Sequence, residues 1–327
     1  MALATWRGTA HLKVQLDSLA AQTRLPDEVI AVDDASGDAT PDLLAAWAAH
    51  APFEMTVLRN PVNLGYARNF ERALSRTTGD LVLPCDQDDM WFAQKLARFE
   101  DWARARPEMA VFVCDTELTD GALTPSGRTK RGQIAAVGLP EESFVMGCCL
   151  GLRRDWLDAM LPFAPGVRAH DNWLVELADR LDLVERHAEV LQYYRQHGAN
   201  TSDFLANTPE EIGPRARFRM VRRDLARRLR GGGGLERELS GLVLQAERLN
   251  ARAAAFDALA GSARRARVAA ELTARIADLE ARAAARAAAL PRRLGAVGRL
   301  WRTGVYARSG GTGGALRDAM TGRGAGT

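Results

Sequence analysis

Lysine is nearly missing from this chain. Lys13, Lys95 and Lys130 are the only three, while arginine and alanine are plentiful. Genomic base composition also produces such a skew, so an arginine carries weight only where its position argues for it. The four cysteines, Cys85, Cys114, Cys148 and Cys149, form no C-x-x-C pair and lie in or beside apolar runs. Buried, reduced thiols are expected, which fits a reducing cytoplasm better than a disulfide-stapled secreted domain. No run approaches the ~18 apolar residues of a transmembrane helix. Trp6-Arg7-Gly8 interrupts any signal-peptide core. A cytoplasmic protein is therefore expected, either free or peripheral at the inner face of the cell membrane.

Two phosphate-binding signatures are absent as well. The first turn is Thr5-Trp6-Arg7-Gly8, with one glycine where a dinucleotide fold wants G-x-G-x-x-G. No G-x-x-x-x-G-K-[ST] occurs either. Phosphate here needs a metal rather than a glycine cradle.

What is present divides in two. The 327 residues suffice for one large domain and something smaller. Residues 210–327 hold 24 arginines and 11 acids, a net of +13, whereas residues 1–209 carry a net of −10. A basic back half suits a phosphate-rich surface.

Residues 1–5, 28–32, 55–58 and 81–83 read as strands, separated by helices over 11–22 and 41–49 and by one that residues 63–69 open and that runs to about 76. Strand and helix alternating imply an α/β fold, a mostly parallel sheet flanked by helices. Right-handed crossovers put all the strand carboxyl ends on one edge. Thr5, the pair Asp33 and Asp34, and the cluster Asp86, Asp88 and Asp89 should therefore converge on one cleft. Three carboxylates this close stay ionised together only if water or a cation screens them. A hard divalent cation is one reading. A solvated acidic turn capping the helix after Phe92 is the other. Residue 110 to 114 is a further strand, and 119–138 reads as a loop over the cleft. A helix follows His170-Asp171-Asn172-Trp173, and 184–194 reads as a strand or two short ones.

From about residue 209 the pattern changes. Leu235, Leu239, Leu242, Ala246, Leu249, Ala253 and Phe256 step by threes and fours. The seam suits a helical hairpin or a short dimeric coiled coil, after a glycine linker at 231–234. Residues 292–320 mix arginine with Leu300, Trp301, Val305, Tyr306 and Leu316. Such a tail can lie on an anionic bilayer; the glycines at 310–314 and 322–326 equally suit a solvated tail.

Seven stretches in order resemble the family 2 glycosyltransferases of the GT-A (Rossmann-like) fold, in particular their bacterial rhamnosyltransferase-like branch. They are T-W-R-G (5–8), Q-L-D-S-L-A-A-Q-T (15–23), D-E-V-I-A-V-D-D-A-S-G-D-A-T (27–40), N-L-G-Y-A-R-N-F (63–70), D-Q-D-D-M-W (86–91), H-D-N-W (170–173) and Y-R-Q-H-G-A-N (194–200). The resemblance covers roughly residues 1–205. It implies a catalytic domain over 1–208, followed by an Arg/Ala-rich helical region over 209–327. It departs from the family's pattern at Trp6 and Arg7, which replace the usual Tyr and Asn, and in a short first strand.

The resemblance implies an inverting transfer of a sugar, rhamnose among the candidates, from a dTDP-, UDP- or GDP-linked donor. The acceptor would be a glycan or lipid-linked molecule of bacterial surface polysaccharide synthesis. Thr5, Asp33, Asp34 and Arg68 would hold the base and ribose, with Asp86 and Arg195 also on the donor. Asp88, Asp89 and His197 would hold Mg²⁺ or Mn²⁺. Asp171 would be the catalytic base, with an N-cap as its plainer role. Trp91 and Trp173 would stack on sugar or simply pack. No nucleic acid is expected as partner. Self-association or membrane contact falls to the C-terminal helices. The competing reading is a non-catalytic scaffold with a degenerate domain and a coiled-coil tail, against which the intact carboxylates argue.

Overall fold

The computed structural model describes residues 1–198, 205–213 and 234–320. Ala199 and Asn200 of the last motif, 231–233 of the glycine linker and the glycines after 320 lie outside the described residues. The chain forms two compact units: residues 1–212 with 258–260, and the remainder from 213 onward.

The first unit is built on four parallel strands, β1 (Ala2–Thr5), β2 (Glu28–Asp33), β3 (Glu54–Arg59) and β5 (Pro84–Asp86), in the order β3-β2-β1-β5. Helices α1 (Leu12–Ala20), α2 (Thr40–Ala48) and α3 (Tyr66–Leu74) make the crossovers. Leu3, Val29, Ala31 and Val32 are fully buried, as expected of strands covered on both faces. Register pairs Thr5 with Asp33 and Ala4 with Asp86, so the acidic strand ends do lie along one edge.

The segment read as one strand over 81–83 is instead divided between two sheets. β4 (Leu81–Val82) runs antiparallel to β9 (Leu150–Arg153), and Pro84 opens β5 beside β1. Proline, lacking an N–H, is tolerated where a strand begins. The second sheet is mixed: β4, β9, β7 (Val111–Thr119), β10 (Val184–Arg195) and β6 (Met90–Trp91), with β8 (Pro125–Thr129) on β7. Helices α4 (Lys95–Ala105), α6 (Arg154–Met160) and α7 (His170–Arg180) complete the unit.

Residues 119–138 are not a loop. They contain β8 and α5 (Lys130–Ala136), capped by the Thr129 hydroxyl accepting from the Gly132 N–H. Gln133 donates to the carbonyls of Thr208 and Glu210, 2.7 Å each, and Ile134 is buried. Tertiary contacts outweigh the polar, glycine-containing local sequence.

The second unit is helical: α8 (Gly234–Ala251), α9 (Ala253–Ala260), α10 (Ser262–Ala287), α11 (Leu290–Arg302), α12 (Val305–Arg308) and α13 (Gly311–Met320). Helix α8 packs against α10, with Leu235, Leu242, Leu249, Val268, Leu272 and Leu279 buried. Gly261, at φ 83°, turns the chain into α10. The glycines at 310–314 do not keep the tail irregular. Asp318 is buried and accepts from Arg282 (2.8 Å), Arg286 (2.5 Å) and the Tyr306 hydroxyl (3.0 Å), which anchors α13.

Candidate active site

The acidic loop leaves β5 at Asp86. Gln87 clamps it to the first turn: the Trp6 N–H donates to Gln87 Oε1 at 2.8 Å, and Gln87 Nε2 donates to the Trp6 carbonyl at 2.9 Å. Gly8 makes room for this clamp, since a Cβ there would stand 2.2 Å from Gln87 Oε1. Asp88 reaches outward, with Oδ2 2.8 Å from His197 Nε2 at the end of β10. Asp89 turns inward. It is 0% exposed and accepts from the Arg195 N–H (3.2 Å) and Gln192 Nε2 (3.3 Å).

Beneath these acids sits Lys95, itself fully buried. Its ammonium donates to the Cys148 carbonyl at 2.6 Å and to Gln192 Oε1, and lies 3.6 Å from the centre of the Trp91 ring. Gln192 therefore links the buried Lys95 to the buried carboxylate of Asp89.

The electrostatics describe a site with too much negative charge. Asp86 keeps some contact with solvent yet lies deep. Burial, then Asp88, Asp89 and Asp171, push it well above the usual carboxylate range. Burial and Asp88 push Asp89 up to about 7. A divalent cation relieves this strain directly. Ligand atoms of Asp86, Asp89 and Cys148 all lie within 4.8 Å of one another, whereas Asp88, expected as a ligand with Asp89 and His197, pairs with His197 outside that group. The carboxylate oxygens of Asp86 and Asp89 suit Mg²⁺ or Mn²⁺, while the Cys148 thiol is a softer group that such an ion does not need.

The base-side residues have internal partners. Asp33 accepts from Ser36 N (2.9 Å), Ser36 Oγ (2.5 Å) and Thr5 Oγ1 (3.4 Å). Asp34 accepts from Asn60 Nδ2 (2.6 Å) and the N–H groups of Leu64 (2.8 Å) and Gly65 (2.9 Å). Both carboxylates are buried. They hold the turn at Ser36 and the loop entering α3. Arg68, expected near Asp34, turns to Glu71 (2.5 Å) and the carbonyls of Phe163 (3.1 Å) and Ala164 (2.9 Å). Arg195, expected on the donor, braces the carbonyls of Asp88 and Gly121, each at 2.7 Å. Trp91 and Trp173 are buried and pack.

Asp171 lies in the first turn of α7, where Oδ1 accepts from the Asn172 N–H at 2.9 Å. Its negative charge raises the pKa of both Asp86 and Tyr66. His170 is buried and stacked on Phe70 at 3.9 Å. Burial lowers its pKa, and neither ring nitrogen has a partner among the described residues. Gly147 lets the chain pass this ring, since a Cβ there would stand 2.3 Å from His170 Nε2.

Several residues of the site escape a reading by motif. Cys148 and Lys95 come from segments that look like ordinary core. His11 opens α1, and its ring lies 4.9 Å from that of His197. Tyr66, half-exposed beside Asp171, sits in a quoted motif and could have been singled out as an aromatic on a loop-to-helix junction.

A parallel sheet with an acidic loop on its carboxyl edge, joined to a mixed second sheet, is the architecture of a GT-A α/β domain. Residues 9–161 match the family model Glycosyl transferase family 2. An uncharacterised protein of Mycobacterium tuberculosis is 36% identical over 103 residues, 31% of this chain and 30% of that one. An uncharacterised glycosyltransferase of Nostoc is 26% identical over 212 residues, 62% of this chain and 65% of that one. The chain thus spans less than two thirds of the length of either relative. Residues 1-349 of TarS from S. aureus superpose with a TM-score of 0.50 at 16% identity, covering 92% of this chain and 90% of that one. At that identity the likeness is one of fold.

Proposed function

We propose that this protein is an inverting, divalent-cation-dependent glycosyltransferase. It moves a sugar from a dTDP-, UDP- or GDP-linked donor to a hydroxyl of a glycan or lipid-linked acceptor in bacterial surface polysaccharide synthesis. Rhamnose as the sugar rests on the motif resemblance alone. The observation that carries the reading is the Asp88–His197 pair beside Asp86 and Asp89, with Asp171 acting on Asp86 from a separate segment.

In this reading residues 1–208 are the catalytic domain. Asp88, Asp89 and His197 hold Mg²⁺ or Mn²⁺, Asp89 fully buried and the other two partly so. The bound cation offsets charge on the departing diphosphate. Asp86 takes the ribose side. Thr5, Asp33, Asp34 and Arg68 hold the base and ribose, and Arg195, which also braces the acidic loop's backbone, contacts the donor. Asp171 accepts the proton of the acceptor hydroxyl as that oxygen bonds to the anomeric carbon. The bond from the anomeric carbon to the diphosphate oxygen breaks in the same displacement.

Asp88→Asn and Asp171→Asn should each abolish transfer with melting curves close to the parent's. A thermal-shift screen of UDP, GDP and dTDP with and without Mn²⁺ should show a cation-dependent shift. Full activity in both variants would refute the proposal.

A further inference from the structure

Five large apolar side chains of the second unit stand in solvent on two short helices. On α11 they are Leu290 (60% exposed), Leu294 (54%) and Trp301 (50%). Spacings of four and seven residues bring them within about 40° of one another around the helix. On α13 they are Leu316 and Met320, one turn apart.

The charge around this ridge has one sign. Residues 290–320 contain six arginines and a single acid, Asp318. Asp318 is buried on Arg282, Arg286 and Tyr306, so no carboxylate of the segment faces outward. Arg293 is turned inward to the Ala288 carbonyl and Arg308 pairs with Asp278. Arg292, Arg299 and Arg302 stand at the surface of α11.

We propose that α11, with α13, docks on an anionic phospholipid surface. Leu290, Leu294 and Trp301 enter the boundary between headgroups and acyl chains. The surface arginines meet the lipid phosphates. An exposed apolar ridge with arginines on the other side of the helix is the arrangement that lies in such an interface. Among the described residues no helix is long and apolar enough to cross a membrane, so the contact is peripheral. Nucleic acid would satisfy the arginines and leave the Leu/Trp ridge in water.

The test is co-sedimentation of the full chain with vesicles of phosphatidylcholine alone and of phosphatidylcholine with phosphatidylglycerol. The protein should pellet with the second only, and release as salt rises. Leu294→Glu with Trp301→Glu, and separately Arg292→Glu with Arg299→Glu, should each weaken pelleting at least about tenfold, with unchanged circular dichroism melts. These side chains are exposed, so the fold should tolerate the changes. Failure to pellet with anionic vesicles, equal pelleting with both kinds, or undiminished pelleting of the Leu294/Trp301 variant overturns the proposal. So does a dimer, seen by sedimentation velocity, that the same variant abolishes without any vesicle binding by the parent. None of these outcomes depends on the catalytic reading.

Discussion

Asp88 Oδ2 lies 2.8 Å from His197 Nε2, although 109 residues separate them. The two meet because β10 delivers its carboxyl end beside the loop that leaves β5. The Arg195 N–H on Asp89 and the Arg195 guanidinium on the Asp88 carbonyl hold that meeting point.

Removing either partner should therefore weaken the cation site. Asp88→Asn and His197→Ala should each reduce Mn²⁺ affinity by roughly 10- to 100-fold. Electron paramagnetic resonance of free Mn²⁺ during a titration without donor would measure this. Parent-like affinity in both variants would count against the assigned ligands.

The Gly8–Gln87 contact separates placement from stability. In Gly8→Ala the added methyl meets only the tip of a flexible side chain, so unfolding free energy should change by less than about 1 kcal/mol. The clamp on Trp6 would still be displaced, and with it the acidic loop. Turnover should fall roughly 10- to 100-fold. Equal loss of stability and activity would contradict this division.

Gly147 offers the opposite case. Its missing Cβ faces the His170 ring, which is held by stacking on Phe70. Gly147→Ala should cost about 1–3 kcal/mol through overpacking. Urea midpoints of parent and variant would show it; an unchanged midpoint would mean that the ring is free to move.

His170 also predicts a pH dependence. Burial lowers its folded pKa below the ordinary 6.5. As pH falls through 6.5 the unfolded chain takes up a proton that the folded chain refuses. This residue's contribution to stability therefore declines in that direction, down to its folded pKa. His170→Phe should lose less stability than the parent between about pH 7.5 and about pH 5.5. Parallel losses, measured by chemical denaturation, would assign the acid sensitivity elsewhere.

Lys95 is the buried counter-charge. Lys95→Met keeps the volume but strands the Cys148 carbonyl and Gln192 Oε1, which should cost about 1–3 kcal/mol. Mn²⁺ affinity should also shift, because Gln192 touches Asp89. A variant as stable as the parent would show that water replaces the ammonium.

The sequence made the parallel half of the fold legible because apolar runs, crossover helices and polar strand ends are local patterns. Residues 28–33 read as a strand because E-V-I-A-V-D is an apolar run ending in acid, and β2 ends there. The division at Pro84 and the elements within 119–138 were not legible. Each depends on a partner far along the chain: Ala2 for Pro84, and Thr208 and Glu210 for Gln133.

What the sequence by itself determined is which chemistry is available: carboxylates at strand ends, one imidazole after the last strand, arginine nearly everywhere a cation is needed. Only the tertiary structure decided that Asp88 faces outward and Asp89 inward, that Asp33 and Asp34 hold loops, and that Lys95 and Cys148 lie under the acids. Side-chain direction at a strand end follows from register against neighbouring strands and from which donors those strands present. Those partners are set by packing over a hundred residues of separation, which no local pattern records.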